Sequence, residues 1–321
     1  MWKKRWVCLA MLFIASHSVF AKDTADAVLT KSIGQCANPE PAGMRGVEVA
    51  LFYKLASRGA SSMGGVTRIY YGKGLDQYGD LRLPPGRGPF PLAIVVHGGS
   101  WQASVNSDYI APVAQTLTHA GIATWNIEYS RLGSGGEWPG SFTSVAAAAD
   151  YVRVLAQRYP IDLHRVITVG HSSGGHYALW LAARHNLKPE SPLYSANPLP
   201  LRGVVSLDGT PDLEAFAALP RGKTVIPALL GAGGDPQWQT RYAQTSPVDL
   251  LPLGVPQYFL TEESDRLPSI MAYIHKSEAS GDKVTYDIAC PPNHFTTTDT
   301  GQPIITRSIV TAARKMVDGS F

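Results

Sequence analysis

Short apolar runs alternate along most of this chain with stretches whose apolar residues recur every three or four positions. Leu92-Ala93-Ile94-Val95-Val96 is continuously apolar, the mark of a strand buried on both faces. Ile110, Val113, Leu117 and Ala120 follow at helical spacing, with Gly121 as a stop. Ile122 to Tyr129 returns to strand. Val145, Ala148, Ala149, Val152, Leu155, Ala156 and Tyr159 then mark one helical face that Pro160 ends. Val166–Val169 reads as a strand and Gly175 to Ala183 as a helix. Val204–Leu207, Gln257–Leu260 and Val284–Ile288 add strands, and Ile305, Ile309, Ala312 and Met316 mark a closing helix. Val66 to Tyr71 forms an early strand, and Pro84–Pro91 a turn-rich connector. This alternation predicts an α/β fold with a mostly parallel central sheet and helices on both faces.

Residues 22–64, rich in Gly, Ala, Pro and Ser, hold no sustained period and read as an extended N-terminal lead-in. The catalytic domain is expected over residues 65–321. The chain opens with Lys3, Lys4 and Arg5, an apolar run from Trp6 to Phe20, and then Ala21. That pattern predicts a secretory signal of residues 1–21, cleaved before Lys22, and a periplasmic or secreted product without stable membrane insertion. Cleavage removes three cations and no acid, so the net charge of +3 falls to zero. The remaining Lys and Arg are scattered, which argues against nucleic-acid binding. Two cysteines would be left, Cys36 and Cys290, able to form one disulfide in an oxidising compartment or to stay as two buried thiols.

Gly170-His171-Ser172-Ser173-Gly174 stands between a β-branched strand and an apolar helix. A sharp strand-to-helix turn there exposes the hydroxyl of Ser172, and the flanking glycines let the backbone pack closely. A serine hydroxyl needs a base, and the base needs an acid to fix its tautomer. In a fold of this type both follow the nucleophile in the order acid, then histidine. His294, in Pro291-Pro292-Asn293-His294-Phe295 after the last strand, is the expected base; His176, His185 and His275 sit on or beside helical patterns. Asp265 is the expected acid, in the loop after the preceding strand, with Glu262 and Glu263 crowding the same loop and Asp208 ending the strand before. His97-Gly98-Gly99-Ser100-Trp101 follows the buried strand ending at Val96. Its amides, with that of Ser173, are candidates for an oxyanion hole: Gly99 first, with Gly98 or Ser100 as alternatives.

The chain contains no H-E-x-x-H, no C-x-x-C and no G-x-G-x-x-G opening a helix, so no metal or cofactor is called for. Trp101 is the leading candidate to touch substrate. Tyr109, Tyr129, Trp138 and Trp238 are further aromatic residues for which core packing competes with pocket lining.

His97-Gly98-Gly99-Ser100-Trp101, Asn126-Ile127-Glu128-Tyr129, Trp138-Pro139-Gly140, Gly170 to His176 and Asn293-His294-Phe295 together resemble the α/β-hydrolase superfamily. The likeness is to its esterase/lipase group, including kynurenine formamidase-like and acylaminoacyl-peptidase-like enzymes, and extends over about residues 75–318. It implies a serine hydrolase with Ser172, Asp265 and His294 as its triad, acting on a small-molecule carboxylic ester. Amide hydrolysis, as by an arylformamidase or an acyl-peptidase, is the alternative, and a non-catalytic binding protein is the remaining one. Two departures stand out: Ser141-Phe142-Thr143-Ser144 carries no acid where relatives often do, and Thr261-Glu262 replaces the usual His-Gly lead into the acid loop.

Overall fold

The computed structural model describes residues 32–33, 44–61 and 64–321. The expected leader and Cys36 lie outside the described residues. Cys290 is disulfide-bonded.

Nine strands form one sheet among the described residues. They are β1 (Ser32–Ile33), β2 (Val66–Tyr70), β3 (Tyr78–Arg82), β4 (Phe90–Val96), β5 (Ala123–Ile127), β6 (Ile161–His171), β7 (Val204–Leu207), β8 (Gln257–Thr261) and β9 (Val284–Ala289). Their order is β1-β9-β8-β7-β6-β4-β5-β3-β2. All pairings are parallel except β2 with β3 and β3 with β5.

The continuous apolar run in β4 has a direct structural reason. Leu92, Ile94 and Val96 point into one core cluster and Ala93 and Val95 into the other, because successive side chains alternate across the sheet. The long helices divide accordingly. Call α1 Met44–Ser61, α2 Ala111–His119, α3 Gly140–Asp150, α4 Ser173–Ala183, α5 Leu267–Ala279 and α6 Pro303–Asp318. Residues of α3, α4 and α5 pack on the first face, and residues of α1, α2 and α6 on the second. Every residue of α4 is buried, so it shows none of the amphipathic signature of an outer helix. No described helix is long and apolar enough to cross a membrane.

Residues 44–61 differ from the sequence expectation: they form α1, an 18-residue helix, rather than extended chain. Leu55 is fully buried, and Leu51, Phe52 and Ala56 pack against the same core. Arg58 ties the helix to Asp299 through Nη1–Oδ1 at 2.9 Å. The helix exists because it covers an apolar face of the sheet domain. Its own stripe is narrow, and glycines at both ends dilute the period.

Candidate active site

Parallel strands deliver their carboxyl ends to one edge of the sheet, and the candidate residues gather there. Val96 pairs with Gly170, and His171 with Leu207, so the ends of β4, β6 and β7 stand side by side. The chain leaves β6 at Ser172 with φ 57° and ψ −123°, a left-handed conformation held between strand and helix. Its N–H donates to the Leu207 carbonyl at 3.0 Å, and its carbonyl accepts the first bond of α4, from His176 N, at 3.1 Å. The close packing behind it explains the glycines. A Cβ on Gly170 would sit 2.1 Å from the Gly174 carbonyl oxygen, and one on Gly174 would sit 2.1 Å from that of Val96. Holding a non-glycine residue in this conformation costs about 1–3 kcal/mol, the kind of strain that clusters at functional sites.

His294 lies in the loop after β9, and its Nδ1 is 2.7 Å from Oδ2 of Asp208. The carboxylate at that position is therefore Asp208 and not Asp265. Asp265 is exposed in the loop after β8, whereas Asp208 is fully buried at the end of β7. Asp208 turns inward through a left-handed backbone, φ 47°, and its N–H donates to the Leu260 carbonyl at 2.7 Å. Its second oxygen accepts from Thr261 Oγ1 at 2.8 Å. The loop after β8 contributes Arg266 instead of an acid. Its Nη2 bonds Asp208 Oδ2, reaches Glu262 Oε1 at 3.3 Å and lies 2.7 Å from His294 Nδ1.

These contacts decide the charges. Burial alone would raise the Asp208 carboxyl, but the Arg266 guanidinium and the bonds from His294 and Thr261 outweigh it, holding Asp208 below the ordinary carboxylate range. Glu262 goes the other way, raised by burial and by the neighbouring Asp208 charge. For His294, burial and the Arg266 charge disfavour the imidazolium more than Asp208 favours it, which leaves a neutral imidazole. Asp208, Glu262 and His294 place potential donor atoms within 4.8 Å of one another, and the positive charge among them is the Arg266 guanidinium.

The glycine loop after β4 is held from beneath. His97 is fully buried, with Nε2 2.8 Å from Glu128 Oε1 and Nδ1 2.7 Å from the Gly98 carbonyl oxygen. Glu128 also accepts from Ser107 N at 3.0 Å and pairs with Arg131 at 2.8 Å. Although burial opposes it, His97 and Arg131 keep the Glu128 carboxyl below its usual value. Tyr129 donates to the His97 carbonyl at 2.8 Å. The Gly98 amide donates to Tyr109 Oη at 2.6 Å, so this candidate oxyanion donor is already used. Gly99, at φ 115°, lines the cavity above Ser172, and Ser173 opens α4, where first-turn amides have no partner within the helix.

Residues 80–265, more than half of the chain, match the BD-FAE family model. The chain belongs to the BD-FAE family. This is a family of α/β-hydrolase esterases, and the mostly parallel sheet with helices on both faces is the α/β-hydrolase fold. Among solved structures, the chain is similar to a bacterial heroin esterase at 19% identity and a TM-score of 0.65, over 94% of this chain and 98% of that one. It is also similar to esterase B from Lactobacillus rhamnosis, at 17% identity and a TM-score of 0.69, over 87% and 97% of the two chains. A truncated carbohydrate esterase from gut microbiota matches at 19% identity and a TM-score of 0.66, over 78% and 95%. No curated protein matches by sequence.

In this BD-FAE-family protein Ser172, His294, Gly99 and Ser100 line one cavity of about 270 Å³. Its opposite wall is α1, through Glu48, Val49, Phe52 and Tyr53, with Tyr109 and Phe295 between. Phe52 packs at 5.4 Å from Tyr109 and 5.3 Å from Phe295, centroid to centroid. Trp101 does not share this cavity. It is buried in the core, its Nε1 donating to His176 Nδ1 at 3.4 Å and its ring meeting Phe216 at 5.8 Å. Of the aromatic candidates, Tyr109 is the one on the lining. Sequence reasoning missed α1 and Arg266. The Leu51, Phe52, Leu55, Ala56 stripe was a signal for the first, and nothing local marks the second.

Proposed function

We propose that this chain is a serine hydrolase that cleaves carboxylic esters through an acyl-enzyme. Ser172 Oγ adds to the acyl carbon while its proton passes to His294 Nε2, and the carbonyl electron pair moves onto oxygen. The amides of Gly99 and Ser173 receive that oxyanion. Collapse breaks the acyl–alkoxy bond, and His294 returns the proton to the departing alcohol. Water then gives a proton to His294 and adds to the acyl carbon; Ser172 leaves with that proton, and the carboxylic acid is released. Asp208, in the place first expected for Asp265, accepts from Nδ1–H and stabilises the transient imidazolium.

The observation that carries this reading is the convergence of Ser172, His294 and Gly99 on one cavity, with Asp208 bound behind His294. Residues 1–21 act as an export leader, and the disulfide at Cys290 supports an oxidising destination, periplasmic or secreted. Fractionation with N-terminal sequencing tests this, and a mature product starting at Lys22 is expected. For the chemistry, initial rates of the purified protein are measured on acetyl, butyryl, octanoyl and aromatic acyl esters, with an aryl formamide as the amide control. Ester turnover abolished by Ser172→Ala is expected. Turnover that survives that substitution, or that is confined to the formamide, overturns the proposal.

A further inference from the structure

A single line of hydrogen bonds crosses the site beneath the cavity. Gly98 N–H donates to Tyr109 Oη at 2.6 Å, and the same oxygen lies 2.8 Å from His171 Nδ1. His171 Nε2 lies 2.9 Å from the backbone carbonyl oxygen of His294. Tyr109 and His171 are almost wholly buried, and both border the cavity that holds Ser172.

The direction of each bond follows from chemistry. A carbonyl only accepts, so His171 Nε2 carries a hydrogen. Burial, and then the nearby His294, push His171 well below the ordinary histidine range, so the ring is neutral and Nδ1 is bare. A backbone amide only donates, so Tyr109 accepts from Gly98 and gives its one hydroxyl proton to Nδ1. The result is a one-way sequence from Gly98 through Tyr109 to His171, and from His171 to the His294 loop.

Its end points adjoin the proposed reacting groups. Gly98 precedes the oxyanion donor Gly99, His171 precedes Ser172, and His294 is the base. We infer that Tyr109 and His171 are positioning residues that hold the oxyanion loop and the base loop in register with the nucleophile. This rests on the serine-esterase reading above. The competing explanation is packing, since the His171 ring lies 4.4 Å from that of His294 and 5.3 Å from that of Phe295. Packing alone would survive the loss of the Tyr109 oxygen; positioning would not.

The test measures kcat and KM on p-nitrophenyl butyrate for wild type, Tyr109→Phe, His171→Gln, His171→Leu and the double variant Tyr109→Phe/His171→Leu. Tyr109→Phe is expected to lower kcat about tenfold to a hundredfold with KM within about threefold, because misplaced oxyanion donors act on the transition state. Glutamine can still accept and donate, so His171→Gln should retain at least about ten times the kcat of His171→Leu. The double variant should be no worse than His171→Leu, as for groups acting as one unit. A Tyr109→Phe kcat within twofold of wild type, or additive losses in the double variant, overturns the inference. So does a lowered melting temperature with kcat intact.

A second readout needs no substrate. Ring ¹⁵N shifts of the labelled protein, with His171 assigned by its loss in His171→Gln, should show hydrogen on Nε2 and a hydrogen-bonded Nδ1 that is released in Tyr109→Phe. The opposite tautomer overturns the inference even if no ester is turned over. Failure of wild type on every ester, with this tautomer present, counts against the esterase reading and leaves the hydrogen-bond line standing.

Discussion

Asp208→Asn and Asp265→Asn separate the two carboxylates at the sheet's edge. Asparagine at 208 keeps the shape but cannot hold Nδ1–H as a carboxylate does; its amide can donate to Nδ1 and impose the tautomer unfit for a base. The geometry at stake is the 2.7 Å contact between His294 Nδ1 and Asp208 Oδ2. Loss of the orienting acid in a triad of this kind lowers kcat by about four orders of magnitude, roughly 5 kcal/mol of barrier. Here the loss should be smaller, about a thousandfold. Removing the Asp208 charge takes away part of what keeps Glu262 neutral, and Arg266 then draws an ionised Glu262 towards the site. Stability also falls, because Arg266 is buried and loses its principal partner. Breaking a buried pair costs about 3–5 kcal/mol, and the Glu262 contact at 3.3 Å recovers part of this. Asp265→Asn, at an exposed position, should leave kcat within about twofold and stability within about 0.5 kcal/mol. The assay is kcat on the best ester for both variants, with thermal melting to confirm folding. If Asp208→Asn keeps more than a tenth of wild-type kcat while Asp265→Asn loses a hundredfold, Asp208 is not the acid.

Two further outcomes follow from the packing around the site. His176 is fully buried with Nε2–H on the Thr245 carbonyl at 2.8 Å, and burial pushes it down to about 4, so the unfolded chain takes up a proton that the folded chain refuses. Its contribution is complete above the unfolded value near 6.5 and is lost as pH falls towards 4, by about 3 kcal/mol at pH 4. Urea unfolding of wild type and His176→Gln at pH 7 and pH 4 measures this as a difference of differences; a variant with the same pH dependence as wild type refutes it. Phe52→Ala opens the α1 wall of the cavity and should raise kcat/KM for octanoyl over butyryl esters, by about fourfold for each methylene newly buried. An unchanged ratio would show that the acyl chain does not run along α1.

Much of this site is a local property of the sequence. Ser172 needs a strand, a tight turn and a helix in succession, and Gly170-His171-Ser172-Ser173-Gly174 carries all three in contiguous residues. The His97-Gly98-Gly99 loop was equally legible, because it directly follows the continuously apolar β4, and His294 was legible from its place in the Pro291-Pro292-Asn293 loop after the last strand. The choice among carboxylates had no such local signature. Asp208 and the loop of Glu262 and Asp265 leave adjacent parallel strands at the same edge. Which of them reaches His294 depended on the inward turn at Asp208, and on Arg266 taking the place its loop offered. Gly98 and Gly99 look alike in sequence, yet the hydroxyl of Tyr109, eleven residues on, takes the Gly98 amide, while Gly99 lines the cavity. Trp101 adjoins the glycines along the chain and still packs into the core, because backbone direction through Ser100 and Trp101, both at positive φ, turns it from the cavity towards His176. The wall made by α1 was hidden for the same reason. A helix whose stability comes from the surface it covers shows little in its own sequence until that surface has been built.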